Sequence, residues 1–212
     1  MALKRPAVFL DKDGTLVVDV PYNVDPQRIQ LQGGTAAGVQ RLHQAGYALV
    51  VVTNQSGIAR GYFAEAALGP VERRLQDLLG VPLAGFYYCP HHPAGVVADY
   101  AIACNCRKPK PGLLFQAAAD LQLDLSRSWL IGDILNDVEA AHRAGCRAIL
   151  IHNGNETEWQ LNAVRSPDYL APDVAAAATL ILQTDDDDSR TSNRTLADLS
   201  RPLCPPAGAG DR

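Results

Sequence analysis

The sequence predicts an α/β protein built as a doubly wound, Rossmann-like parallel sheet, and two features of its patterning lead there. Short, continuous apolar runs recur along the chain, and each is followed by a segment of helical character. Continuous apolar strands imply burial on both faces, and strand-helix alternation is what a parallel sheet covered by helices requires. In such sheets ligands bind beyond the carboxyl ends of the strands, so chemistry is expected in the residues that follow each strand.

Strands are expected at Ala7 to Leu10, Ala48 to Val52, Phe86 to Tyr88, Trp129 to Ile131 and Ala148 to Ile151, with helices at Thr35 to Gln44, Ala64 to Leu79, Pro111 to Leu121 and Asp137 to Ala144. A last strand around Tyr169 and a closing helix from Asp173 to Leu182 complete the pattern. Beyond Gln183 the run Asp185 to Asp188 and the Pro-Pro-Ala-Gly-Ala-Gly-Asp-Arg ending offer too little apolar surface to offset the entropy of ordering. One domain over residues 1–183 and a disordered tail over 184–212 are expected, the acidic run being a solvated charge block rather than a cation site. No internal repeat is present.

At 212 residues and 47% hydrophobic content the chain can bury one substantial core. A formal charge of −4 and a pI near 5.7 remove the charge argument for binding nucleic acid or an anionic membrane. No run approaches the roughly 18 apolar residues of a membrane span, and Met1 to Pro6 leads straight into the first strand pattern. The protein therefore reads as soluble and unexported; a cytoplasmic location, a small-molecule partner and a monomeric state are expectations that these numbers do not by themselves decide. Cysteines number five, and three of them lie with two histidines within eighteen residues, which favours a metal site over disulfides.

After the first strand comes Asp11-Lys12-Asp13-Gly14-Thr15. Two carboxylates at this spacing can share a divalent cation while one attacks and the other moves protons, although a calcium-like loop or an acidic turn would read the same way. After the second comes Thr53-Asn54-Gln55-Ser56-Gly57, a hydroxyl followed by backbone N–H groups suited to phosphate oxygens or to a simple helix cap. Arg60 offers a cation within reach of a second anionic group. Arg107-Lys108-Pro109-Lys110-Pro111-Gly112 precedes a helix, and spacing alone does not choose between Lys108 and Lys110. After the fourth strand comes Gly132-Asp133 with Asp137 four residues on, where a helix N-terminus tolerates a carboxylate. Each loop by itself is a weak signal; together, in this order at strand ends, they are a strong one.

This order of motifs resembles the haloacid dehalogenase superfamily of phosphoryl-transfer enzymes over about residues 7 to 152. The resemblance implies an Mg²⁺-dependent phosphatase. Asp11 would be the nucleophile, Asp13 the acid and base, and Thr53 and Lys108 the groups on the phosphoryl oxygens. It also implies Mg²⁺ at Asp11, Asp13 (through its carbonyl) and Asp133, with Asp137 in support. No sizeable insertion marks a separate cap domain, so an open site is expected.

Cys89-x-His91-x₁₂-Cys104-x-Cys106 supplies a closed tetrahedral set for structural Zn²⁺, with no position left for a reactive water. Adjacent His92 is an alternative ligand. The metal would fix a loop whose next residues are Arg107 and Lys108. Cys146 reads as a small buried residue and Cys204 as a tail thiol. This zinc loop, with TNQSGIARG and CRKPKPG, is similar to the heptose bisphosphate phosphatase branch of the superfamily, which acts in the biosynthesis of lipopolysaccharide precursors. The resemblance implies substrate contacts from Asp11, Lys12 and Asp13, from Asp19, Val20, Pro21 and Tyr22, from Thr53, Asn54, Gln55 and Ser56, and from Arg107 and Lys108. Ile134 departs from a lysine frequent at that place in the branch, which implies a different anomer, a different second anionic group, or compensation by Arg60 or Lys110. A histidinol-phosphate phosphatase and a catalytically silent zinc-stabilised binding module are the competing readings. A kinase is disfavoured by the lack of a GxxxxGK[ST] loop.

Overall fold

The computed structural model describes residues 4–199, with side chains through Asp188. Six parallel strands, β1 (Ala7–Leu10), β2 (Ala48–Asn54), β3 (Gly85–Cys89), β4 (Trp129–Gly132), β5 (Arg147–Ile151) and β6 (Tyr169–Ala171), form one sheet in the order β3-β2-β1-β4-β5-β6. The order reverses between β1 and β4, whose carboxyl ends therefore flank a crevice where a ligand can enter.

Five helices cover the sheet: α1 (Thr35–Gln44), α2 (Leu68–Leu79), α3 (Gly112–Leu121), α4 (Leu135–Ala144) and α5 (Val174–Leu199). Val8 and Leu10 of β1, Leu49 and Val51 of β2, and Ile149 and Ile151 of β5 point to the layer of α1, α2 and α5. Their neighbours Ala7, Phe9, Val50, Val52, Ala148 and Leu150 point to the layer of α3 and α4. The twofold period of a strand thus divides one continuous apolar run between two cores.

Three differences from the expected pattern have local causes. Glu65–Ala67 forms a 3₁₀ turn, so the second helix starts at Leu68 rather than Ala64. Asp137 lies inside the first turn of α4, which begins at Leu135. The chain also does not leave the helix after Gln183: α5 runs on through the four aspartates to Leu199, past residue 184 where the tail is expected to begin. No glycine or proline interrupts this stretch, and the sheet's amino end holds two of its acidic side chains, Asp185 and Asp188. The Tyr47 hydroxyl and Trp129 Nε1 (3.3 Å) donate to Asp185, while Arg147 pairs with Asp185 at 2.6 Å and Asp188 at 2.9 Å. Residues 200–212, including Cys204, lie outside the described residues. Cys146 is buried as expected.

Candidate active site

β1 hands the chain directly to Asp11, whose N–H still bonds the Ile131 carbonyl of β4 at 3.0 Å. A tight turn follows, closed by Gly14 N–H to Val17 O (2.9 Å) with Gly14 at φ +85°. A Cβ on Gly14 would overlap the Asp133 carboxylate and the Asn155 amide, so both conformation and close approach demand glycine there. Lys108 reaches this turn from the loop before α3. Its ammonium lies 2.6 Å from Asp11 Oδ1, 2.5 Å from Asp137 Oδ1 and 3.0 Å from the Val52 carbonyl. Asn54, at the end of β2, holds the Lys108 backbone by a reciprocal pair of bonds at 3.1 and 3.2 Å. Lys110 instead points away, exposed, and donates to the Cys104 carbonyl at 2.8 Å. Tertiary contact thus separates the two lysines that spacing left equal.

Asp11, Asp133 and Asp137 bring carboxylate oxygens within 4.8 Å of one another, all buried, against the single Lys108 ammonium. Burial raises the Asp11 carboxyl above its usual range even though Lys108 pulls it down. Burial, then the charges of Asp11 and Asp137, push Asp133 up to about 7. Burial works against the charge on Lys108, but Asp11 and Asp137 outweigh it and hold its pKa above that of an ordinary lysine. An under-compensated set of hard oxygen donors fits a divalent cation such as Mg²⁺.

Asp13 takes no part in that carboxylate cluster. Its side chain, a third exposed, pairs with Lys12 and accepts from Gln55 Nε2 at 2.9 Å, which draws it to the mouth of the site. The same Gln55 amide reaches Thr53 Oγ1 at 2.9 Å, tying the second loop to the first. Asp19, Pro21 and Tyr22 stand exposed, with Val20 half-buried and Ser56 half-buried in the next loop. Tyr22 adopts φ +56° and meets Tyr62 edge to face, ring centroids 4.6 Å apart. Arg60 places Nη2 at 3.3 Å from His92 Nε2. Arg60 Nε and Arg107 Nη1 are buried without a hydrogen-bond partner among the described residues.

The four expected zinc ligands also converge. Cys89, Cys104 and Cys106 place their sulfurs 3.3 to 3.5 Å apart, and His91 Nδ1 lies 3.3 Å from the sulfur of Cys106 and 3.8 Å from that of Cys89. Hydrogen bonds from Cys89, Cys104 and His91, acting against burial, lower the Cys106 thiol to about 5. Three soft donors and an imidazole suit a structural Zn²⁺. His92 turns instead to Arg60 and to the Ala94 N–H, which decides between the two histidines. Gly112 N–H bonds Asn105 O at 3.0 Å, so the cluster is fastened to the start of α3 with the Lys108 loop between them.

A HAD-hydrolase-like family model matches residues 105–177. The D-glycero-beta-D-manno-heptose-1,7-bisphosphate 7-phosphatase of Salmonella typhi is 40% identical over 176 residues, covering 77% of this chain and 94% of its own length. The chain belongs to this haloacid dehalogenase-like phosphatase family. A relative from Thermosynechococcus vestitus, named D-glycero-D-manno-heptose-1,7-bisphosphate 7-phosphatase, is 42% identical over 189 residues, 84% of this chain and 96% of its own. The crystal structure of D,D-heptose 1,7-bisphosphate phosphatase from B. bronchiseptica, complexed with magnesium and phosphate, superposes with a TM-score of 0.69 at 30% identity, covering 84% of this chain and 99% of that one.

In this haloacid dehalogenase-like phosphatase some contacts at the site had no counterpart among the expected residues. Thr15 Oγ1 donates to Asp133 Oδ1 at 2.9 Å, and Asn155 Nδ2 to Asp133 Oδ2 at 2.8 Å. Asn153 Nδ2 reaches the Gly14 carbonyl at 2.7 Å, and Glu156 Oε2 accepts from the Leu135 N–H at 2.6 Å. The signal was available, since His152-Asn153-Gly154-Asn155 follows β5 as the other polar loops follow theirs. These residues match no familiar motif, so only their position at a strand end marked them.

Proposed function

We propose that the chain is an Mg²⁺-dependent phosphatase that removes the 7-phosphate of D-glycero-D-manno-heptose 1,7-bisphosphate, acting as a cytoplasmic monomer in the supply of activated heptose. The observation that carries this reading is the convergence of Asp11, Asp133, Asp137 and Lys108 at the reversal of the strand order. Relatives named for that activity, aligned over nearly their whole length, support it.

Asp11 attacks phosphorus, forming an aspartyl phosphate as the bond to the sugar oxygen breaks. Asp13 gives that departing oxygen its proton, then takes one from the water that attacks the same phosphorus and frees Asp11. Partial exposure of the Asp13 carboxylate, steadied by Gln55, suits a group that must meet both leaving group and water. Lys108 and the Thr53 hydroxyl take the phosphoryl oxygens, offsetting charge that Asp11 alone would repel. Asp11, Asp133 and the Asp13 carbonyl would hold Mg²⁺, with Asp137 anchoring Lys108 beside them. When bound, Mg²⁺ adds positive charge between carboxylates and phosphate. The zinc loop orders Arg107 and Lys108 without joining the chemistry. Arg107, with an unspent buried donor, is the cation for a second anionic group where Ile134 offers none.

Phosphate release from both anomers of heptose 1,7-bisphosphate, beside histidinol phosphate, tests the reading. Rapid release from one heptose anomer is expected, with a loss of at least about 10³-fold in Asp11→Asn, since the remaining groups cannot form the covalent intermediate. Preference for histidinol phosphate would move the chain to that sister activity. No release from any substrate would leave a zinc-stabilised phosphate-binding module.

A further inference from the structure

The segment between Ile151 and Tyr169 joins two neighbouring strands without a helix, and most of it is exposed. Within four residues of this loop, three side chains nonetheless turn inward to three different parts of the site. Asn153 donates to the Gly14 carbonyl of the nucleophile turn at 2.7 Å. Asn155 donates to Asp133 Oδ2 at 2.8 Å. Glu156 accepts the Leu135 N–H at the start of α4 at 2.6 Å, a carboxylate on a helix N-terminus. A cavity of about 240 Å³, lined by Gly14, Thr15, Ile151, Asn153 and Asp173 among others, lies behind the Asn153 anchor. Hydrogen bonds rather than packing therefore set the position of this stretch.

We infer that residues 153–156 are a strap that holds Asp133 in the orientation its cation needs, with Asn155 as the positioning residue. The inference rests on the reading of Asp133 as an Mg²⁺ ligand made above. Asp133 receives one neutral donor on each oxygen, Thr15 Oγ1 on Oδ1 and Asn155 Nδ2 on Oδ2. Two such donors from opposite sides fix the plane of the carboxylate. Being uncharged, they leave its negative charge for the cation, and each oxygen keeps a further lone pair. Asn153 and Glu156 pin the strap on either side of Asn155, to the turn after β1 and to the helix that carries Asp137. An exposed loop without those anchors would hold Asn155 poorly and lose the orientation it imposes.

Calorimetric titration of Mg²⁺ into the zinc-loaded full chain, without substrate, tests this. Asn155→Ala is expected to raise the Mg²⁺ dissociation constant roughly 10- to 100-fold. The thermal midpoint without Mg²⁺ should hardly move, because an exposed loop side chain is removed. Glu156→Ala, which frees the far anchor but leaves Asn155 in place, is expected to weaken binding less, and Asn155→Gln to restore part of the affinity. At saturating Mg²⁺ the kcat of Asn155→Ala should recover towards wild type, separating a positioning role from a chemical one. Wild type that binds Mg²⁺ beside an Asn155→Ala protein that binds it within about twofold as tightly overturns the strap alone. Wild type that binds no Mg²⁺ overturns the Asp133 assignment and the strap with it.

Discussion

The two ends of the sheet both gather charge, partly exposed at the amino end and buried at the carboxyl end, and they do so in opposite ways. At the amino end the starts of β2, β4 and β5 converge on α5: Tyr47, Trp129 Nε1 and Arg147 all reach Asp185, while the Arg147 guanidinium also stacks 4.0 Å from the Trp129 ring centroid. Carboxylates there meet charged and neutral donors, and the outcome is a tie between helix and sheet. At the carboxyl end three buried carboxylates cluster, two of them sharing the Lys108 ammonium, while Asp133 meets only neutral donors and is pushed up to about 7. Such a set is costly when empty and becomes favourable when a divalent cation enters. The difference teaches that charge balanced by the protein itself serves stability, whereas charge left for a ligand to balance marks the site of function.

The sharpest way to break that comparison is to remove the central cation of the carboxyl end. Lys108→Met leaves Asp11 and Asp137 buried without a cationic partner, and urea denaturation at pH 8 without Mg²⁺ is expected to show a loss of about 3–5 kcal/mol. Phosphate release should vanish at the same time, and an undiminished stability would refute the buried pairing. The matching change at the amino end is Arg147→Met. Its guanidinium side chain is about a quarter exposed, so a smaller loss of roughly 1–3 kcal/mol is expected, with kcat unchanged at 25 °C. A fall in kcat comparable to that of Lys108→Met would mean that the two ends are coupled.

The smallest effect is a pH dependence at the carboxyl end alone. Asp133 has a folded-state pKa of about 7 against an ordinary 3.8, so in the metal-free protein its proton favours the fold. That contribution is fully present below 3.8 and is lost as pH rises through about 7. Mg²⁺ takes the place of the proton, so the rise in Tm on adding Mg²⁺ should be larger at pH 8 than at pH 5. Equal shifts at both values would show that Asp133 is already ionised without the metal.

Much of this was legible in the chain itself. The continuous runs around Phe9, Val50, Leu130 and Ile149 announced strands buried on both faces, and the polar loops after β1, β2 and β4, with the basic loop before α3, announced the site. Cys89, His91, Cys104 and Cys106 could be grouped because ligand pairs at short spacing have few other uses. The run from Asp185 to Asp188 gave no sign of its contacts with the sheet, because its composition is that of a solvated tail. Composition does not reveal that Tyr47, Trp129 and Arg147, far apart in sequence, offer donors one helix turn beyond the expected end. Asn155 was silent for the same reason: a lone asparagine in a loop acquires its role from the carboxylate it faces.

The sequence by itself determined the layered parallel sheet and the zinc set, which follow from periodicity and local spacing, while the phosphoryl-transfer site was legible through the order of its motifs and the family that order resembles. Only the tertiary structure decided that Lys108 and not Lys110 meets Asp11, that His91 and not His92 joins the cysteines, and that Asp137 rather than the Asp13 carboxylate completes the buried cluster. Each of those choices turns on a direction in space between segments distant along the chain. The strand order brings β1 and β4 together, and neither that adjacency nor the facing of side chains across it is encoded in spacing.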